Sequence, residues 1–158
     1  VAVILDSGPT AIGLESTIVG PGPDGPVLLR PGAVARAEIE AVLGRSLGVP
    51  VARGNAPAAP GMLSSHYAPK AAVRLDARRI EPGEALLAFG PDLPEGWEKA
   101  AATVQLSASG DLVEAAANLF SALRTLDGKA ETIAVAPIPD KGLGEAINDR
   151  LRRAAAPR

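Results

Sequence analysis

T-V-Q-L-S-A-S-G-D-L-V-E-A-A-A-N-L-F-S-A-L-R-T-L-D-G-K-A-E-T-I-A-V-A, from Thr103 to Ala136, holds two short β-prone runs on either side of one helical pattern. Thr103–Leu106 and Ile133–Ala136 are apolar runs of strand length. Between them Leu112, Ala115, Ala116, Leu119, Leu123 and Leu126 recur at helical spacing, so one face of a helix over Leu112–Leu126 is apolar. Ser109 or Asp111 stands where a helix N-cap is expected. Strand, helix, strand in this order implies a parallel pair joined by a crossover. Further strand-like runs at Ala71–Leu75 and Ala85–Phe89, interleaved with helical patterns, extend the sheet. A second helix is predicted over Leu143–Ala154, after Lys141-Gly142. The fold class expected is α/β, with a parallel sheet flanked by helices.

Upstream the pattern changes. Val1–Leu5 is an apolar run that predicts a buried strand, closed by the turn residues Asp6-Ser7-Gly8-Pro9. Ser16–Val19 and Val27–Arg30 are β-prone and are separated by a Pro/Gly turn, which predicts a hairpin. Ile39, Val42, Leu43 and Leu47 then give a short amphipathic helix ending near Gly48. From Val49 to Pro69 the chain is dominated by Pro, Ala, Gly and Ser with little periodicity, the pattern of an extended linker. The expected division is therefore 1–48, a linker over 49–69, and a C-terminal unit over 70–158.

Composition excludes several classes. The chain has 158 residues, 47% of them hydrophobic, enough to form a core. Its formal charge of −2 offers no broad basic field for nucleic acid, so any RNA contact is local. The absence of cysteine removes disulfides, thiol nucleophiles and thiolate metal sites. No run approaches the roughly 20 apolar residues that span a bilayer, so no membrane partner is expected.

The candidate functional residues lie in the first half. The segment A-P-G-M-L-S-S-H-Y-A-P, Ala59–Pro69, contains the chain's single His, Met and Tyr. Its two prolines preset an extended strap. His66 either packs the strap or touches a ligand, and Tyr67 either anchors the linker or covers a base or sugar with its ring. Ser16 and Thr17 place two hydroxyls at the mouth of a strand, suited to carboxylate or phosphate oxygens. Arg30, at a strand end before Pro31-Gly32, either presents a planar fork to phosphate or is simply solvated, the commoner case. Lys141-Gly142-Leu143-Gly144 opens a helix whose first amides suit an anion, although tight loop packing explains the glycines more simply. Asn148, Asp149, Arg150, Arg152 and Arg153 read as a mixed solvated face with some capacity for an interdomain or RNA contact. There is no catalytic triad, no G-x-S-x-G elbow and no G-x-x-x-x-G-K-[ST] loop.

Taken in order, G-L-E-S-T-I-V at Gly13–Val19, V-L-L-R-P-G at Val27–Gly32, the strap, S-A-S-G-D-L-V-E-A-A-A-N-L-F at Ser107–Phe120, and A-P-I-P-D-K-G-L-G-E-A-I-N-D-R-L at Ala136–Leu151 resemble the C-terminal half of long-form threonylcarbamoyl-AMP synthases. That family joins a YrdC-type catalytic domain to a Rossmann-like one. The resemblance covers almost the whole chain. It implies that residues 1–48 are a β-rich remnant of the catalytic domain and that 70–158 form the Rossmann-like domain. It implies an enzyme that makes threonylcarbamoyl-AMP from threonine, bicarbonate and ATP, with magnesium on the nucleotide, for N6-threonylcarbamoyladenosine formation in tRNA. The further expectations are a cytoplasmic address, tRNA-modification proteins and RNA as partners, and no tightly bound cofactor. On matching positions, Ser16 would hold threonine, Arg30 would contact ATP phosphate or ribose, and Tyr67 would complete the nucleotide pocket, with Thr17 and His66 as weaker candidates. No residue is assigned as a protein nucleophile or metal ligand. Many family members carry an aromatic residue in the strap where this chain has Ser64, so that contact does not carry over. The family's basic phosphate-binding motif is not among these residues, so the fragment alone is expected to be inactive. A non-catalytic Rossmann-like module that binds a nucleotide, RNA or a partner is the alternative.

Overall fold

The computed structural model describes residues 2–6, 8, 10–50 and 68–157. Two strands, β1 (Ile18–Gly22) and β2 (Gly25–Arg30), form the antiparallel hairpin expected from the Pro/Gly turn. Gly48 pairs with Val27 as an isolated parallel bridge: Leu28 N–H donates to the Gly48 carbonyl at 3.0 Å and Gly48 N–H to the Pro26 carbonyl at 2.9 Å. Helix α1 (Arg36–Leu43) stops one turn earlier than its apolar spacing suggests, because Gly44 takes a left-handed conformation (φ 65°) and closes the last turn on the Glu40 carbonyl. Its apolar stripe buries nothing, and Leu47, beyond the helix, is the buried residue of the series.

The expected strand over Val1–Leu5 does not form among the described residues: 2–6 have no regular structure, and Val3, Ile4 and Leu5 are exposed. An apolar run becomes a strand only where a sheet edge accepts its backbone hydrogen bonds, and none of the described strands pairs with it.

The C-terminal sheet is parallel throughout, in the order β3 (Ala72–Arg74), β6 (Thr132–Val135), β4 (Ala85–Ala88), β5 (Thr103–Gln105). Helix α2 (Leu112–Leu126) carries the chain from β5 back to β6, and α3 (Leu143–Ala155) follows β6. Asp111 is the cap of α2, accepting from the Val113 and Glu114 amides at 2.7 and 2.8 Å. Both helices cover one face: Ala115, Ala116, Leu119, Leu123 and Leu126 of α2 and Ile147 and Leu151 of α3 pack with Leu87, Ile133 and Val135. The other face, carrying Leu86, Ala88 and Ala134, is covered by Ala77 and Ile80 with Leu93 and Ala100.

The sequence pattern suggested helices between all the strands. The β3–β4 and β4–β5 connections are loops instead, the second with a short 3-10 turn at Trp97–Lys99. The first loop is closed by an ion pair: Glu84, 7% exposed, accepts from Arg74 at 2.8 and 2.6 Å and from the Glu81 amide at 2.8 Å. Burial on both faces explains why Ala85–Ala88, each 0% exposed, reads as an uninterrupted apolar run. Gly144, whose added Cβ would collide with the Pro139 carbonyl, is required by close packing at the start of α3, in line with the simpler of the two readings of that loop.

Candidate functional site

Ser16, Thr17 and Arg30 come together at the base of the hairpin. Arg30 is the last residue of β2 and is buried, 7% exposed, so the solvated strand-end reading does not hold. Its guanidinium turns back across the hairpin and donates to the Ser16 carbonyl from Nε at 3.3 Å and from Nη2 at 2.9 Å. Nη2 also lies 3.4 Å from the hydroxyl of Ser16, an exposed residue. A hydroxyl with a guanidinium against it is an arrangement of donors and positive charge that favours an anionic oxygen.

Thr17 has a different place. Its hydroxyl donates to the Val34 carbonyl at 2.6 Å and accepts from the Val34 amide at 3.1 Å, so it fastens the turn after β2 to the segment before β1. Gly32 completes that junction. A Cβ there would lie 2.5 Å from the Ser16 carbonyl carbon and from the Thr17 nitrogen, and would overlap the Glu15 carbonyl oxygen, which accepts from the Ala33 amide at 2.9 Å. Only glycine permits that approach. His66 and Tyr67, with the rest of the strap up to Tyr67, lie outside the described residues.

The segment leading into Ser16 is held by the C-terminal unit. Gly13 (φ 67°) rests on the backbone of α2, where a Cβ would meet Ala117 Cα at 2.7 Å and the Ala116 carbonyl at 2.9 Å. Ile12 and Leu14 pack against the main core. The Glu15 carboxylate accepts from Arg150 Nε of α3 at 2.9 Å. Arg150, read from sequence as part of a solvated face, is 0% exposed, and it donates through Nη1 to Asp149 at 2.6 Å. Asp149 also binds Arg153 at 2.9 Å. One helical turn earlier, Glu145 takes a two-pronged contact from Arg36, at 2.7 Å from Nη2 and 3.1 Å from Nε. The Glu145 bond and its charge raise the Arg36 pKa above its ordinary value. These acidic and basic residues of α3 were legible as a charged face. What the spacing did not carry was that partners 109 and 135 residues away would meet them.

A separate cleft of about 390 Å³ lies beyond the carboxyl ends of β4 and β6, lined by Arg78, Phe89, Pro91, Asp92, Pro137 and Pro139 among others. Among the described residues no group of three or more His, Asp or Glu is arranged to hold a metal ion, and no helix is long and apolar enough to cross a membrane.

Comparison with known proteins agrees with this architecture. The family model described as threonylcarbamoyl-AMP synthase, C-terminal domain, matches residues 34–156. The threonylcarbamoyl-AMP synthase of Bacillus subtilis is 35% identical over all of this chain and half of its own length. That of Pyrococcus abyssi is 37% identical over 96% of this chain and 48% of its own. The crystal structure of Pyrococcus abyssi Sua5 complexed with L-threonine superposes with a TM-score of 0.76 at 31% identity, over 95% of this chain and 48% of that one. The chain thus spans about half the length of the curated relatives it matches. With a four-stranded parallel sheet, helices on one face and a family match over most of its residues, the chain belongs to the threonylcarbamoyl-AMP synthase family and carries that family's C-terminal domain.

Proposed function

We propose that this chain is part of an enzyme that makes threonylcarbamoyl-AMP from threonine, bicarbonate and magnesium-bound ATP, as a step in N6-threonylcarbamoyladenosine formation on tRNA. The observation that carries this reading is the contact between the Arg30 guanidinium and Ser16 within a chain of this family. A relative of 31% identity has been crystallised with L-threonine, which supports threonine as the ligand.

The chemistry asks little of protein nucleophiles. The threonine amine and bicarbonate condense to a carbamate with loss of water, and a carbamate oxygen attacks the α-phosphorus of ATP. The bond from that phosphorus to the bridging oxygen breaks and pyrophosphate leaves. Such a displacement is accelerated by holding the reactants in line and neutralising phosphate charge. In this reading the Ser16 hydroxyl donates to the threonine carboxylate, and Arg30 supplies positive charge to the nucleotide phosphate or ribose. Tyr67 of the strap is proposed as a nucleotide contact, and His66 as a secondary one. Thr17 serves as the clamp on Val34 rather than as a ligand contact, since that backbone already engages its hydroxyl. Magnesium arrives on ATP. The fragment alone is inactive, and the enzyme works in the cytoplasm beside tRNA and other modification proteins.

The test is pyrophosphate release by the full-length protein that contains this segment. Release that requires ATP, threonine and bicarbonate together, with Ser16→Ala raising the threonine KM about tenfold, is the expected result. Turnover of ATP that ignores threonine would reject the reading in favour of a nucleotide-binding module.

A further inference from the structure

We propose that Arg150 of α3 is a positioning residue for the Ser16–Arg30 site, acting through the carboxylate of Glu15. This deepens the reading above and rests on it, because it assigns to the C-terminal domain a part in holding threonine.

The path is one hydrogen bond and one peptide unit long. Arg150 Nε holds the Glu15 carboxylate at 2.9 Å, and Ser16 follows directly in the chain. The Glu15 carbonyl accepts from the Ala33 amide on the opposite side, and the Ser16 carbonyl accepts from Arg30. Glu15 and Ser16 are therefore gripped from α3 by a side chain and from the hairpin by two carbonyl contacts. Removing the α3 grip takes the Arg150 hydrogen bond from the Glu15 carboxylate and leaves the packing of Gly13 and Leu14 and the hairpin contacts to hold this peptide segment, so the orientation of the Ser16 side chain is less narrowly fixed.

Several features make Arg150 suited to this rather than to general adhesion. It is the largest fully buried side chain among the described residues, and its Nη1 is fixed by Asp149, so its fork has a set direction before Glu15 meets it. Asp149 is itself held by Arg153. Glu15 keeps 33% of its side-chain exposure, so its pairing is directional rather than forced by burial. The neighbouring Arg36–Glu145 pair, one helical turn earlier on α3, joins the same two parts of the molecule. Adhesion has that second source, whereas the direction of Glu15 comes from Arg150. Arg150 acts on the geometry at Ser16 through Glu15.

The experiment measures threonine KM and kcat for pyrophosphate release by the full-length protein in five variants. These are Arg150→Met, Arg150→Lys, Glu15→Gln, the Arg150→Met/Glu15→Gln double and Arg152→Ala, each with a thermal unfolding curve. Arg152 sits on the same helix with an exposed partner, Asp140, and controls for loss of charge. Arg150→Met and Glu15→Gln should each raise the threonine KM about tenfold with a much smaller change in kcat. The double should be no worse than the poorer single, because both remove one link. Arg150→Lys should recover part of the loss, and Arg152→Ala should match the wild type. Should Arg150→Met fail to fold, Glu15→Gln alone decides the matter. A threonine KM unchanged in Glu15→Gln, or a fall in melting temperature without a KM change, overturns the positioning role while the activity stands. A wild type without threonine-dependent pyrophosphate release instead overturns the functional reading, and this inference with it.

Discussion

Gly32→Ala perturbs the junction on which the proposed site depends. The added methyl would sit 2.5 Å from the Ser16 carbonyl carbon and the Thr17 nitrogen. Ordinary carbon contact needs about 3.5 Å, so the facing backbone must retreat by roughly 1 Å. All three nearest atoms belong to the Glu15–Thr17 backbone, so no side-chain rotation relieves the overlap. Overpacking of this kind costs about 1–3 kcal/mol of stability. The same displacement moves Ser16 relative to Arg30, whose Nη2 lies 2.9 Å from the Ser16 carbonyl. A shift of about 1 Å in a positioned group lowers rates by about a hundredfold. In the full-length protein, kcat/KM for threonine in pyrophosphate release should fall by that order, while urea denaturation reports only the few kcal/mol. If Gly32→Ala lowered kcat/KM by less than about threefold, the hairpin turn would not be what places Ser16, and the argument would fail.

Two further perturbations concern the C-terminal domain. The hydrogen bonds from Arg74, followed by that from the Glu81 amide, hold the Glu84 carboxyl below its ordinary pKa against the opposing effect of burial. A carboxylate lowered on folding contributes stability that is full above its unfolded pKa and is lost as pH falls through the folded value. The stability difference between wild type and Glu84→Gln should therefore stay level near neutrality and shrink as urea denaturation is repeated below about pH 4.3, the unfolded glutamate value. A difference that grew on acidification would refute the assignment. Asp111→Ala removes the acceptor for two amides at the start of α2 and should cost about 1 kcal/mol by urea denaturation, with Asp111→Asn retaining most of it. Equal losses for both substitutions would count against the cap.

The C-terminal sheet was legible because its signals are local. Period and length mark α2 to the residue, from Leu112 to Leu126, and a strand buried on both faces is a short apolar run whatever surrounds it. The loops between β3, β4 and β5 carry Ile80, Leu93 and Ala100, which are apolar because they cover a sheet face without regular structure. Gly44 ended α1 before its spacing ran out, since a left-handed residue stops a helix where an apolar stripe alone predicts continuation.

For the site, residue identity and residue placement came from different sources. By itself the sequence determined the fold class, the hairpin, the two long helices and a short set of hydroxyls and an arginine whose chemistry suits anionic oxygen. It did so because propensity, turn chemistry and hydrophobic period depend on neighbours a few positions away. Only the tertiary structure decided that Arg30 turns back onto Ser16, that Thr17 is committed to Val34, and that Arg150 leaves solvent to grip Glu15. A charged side chain carries no mark of its partner when that partner is 135 residues distant, so burial and ion pairing on α3 had to wait for the chain to close on itself.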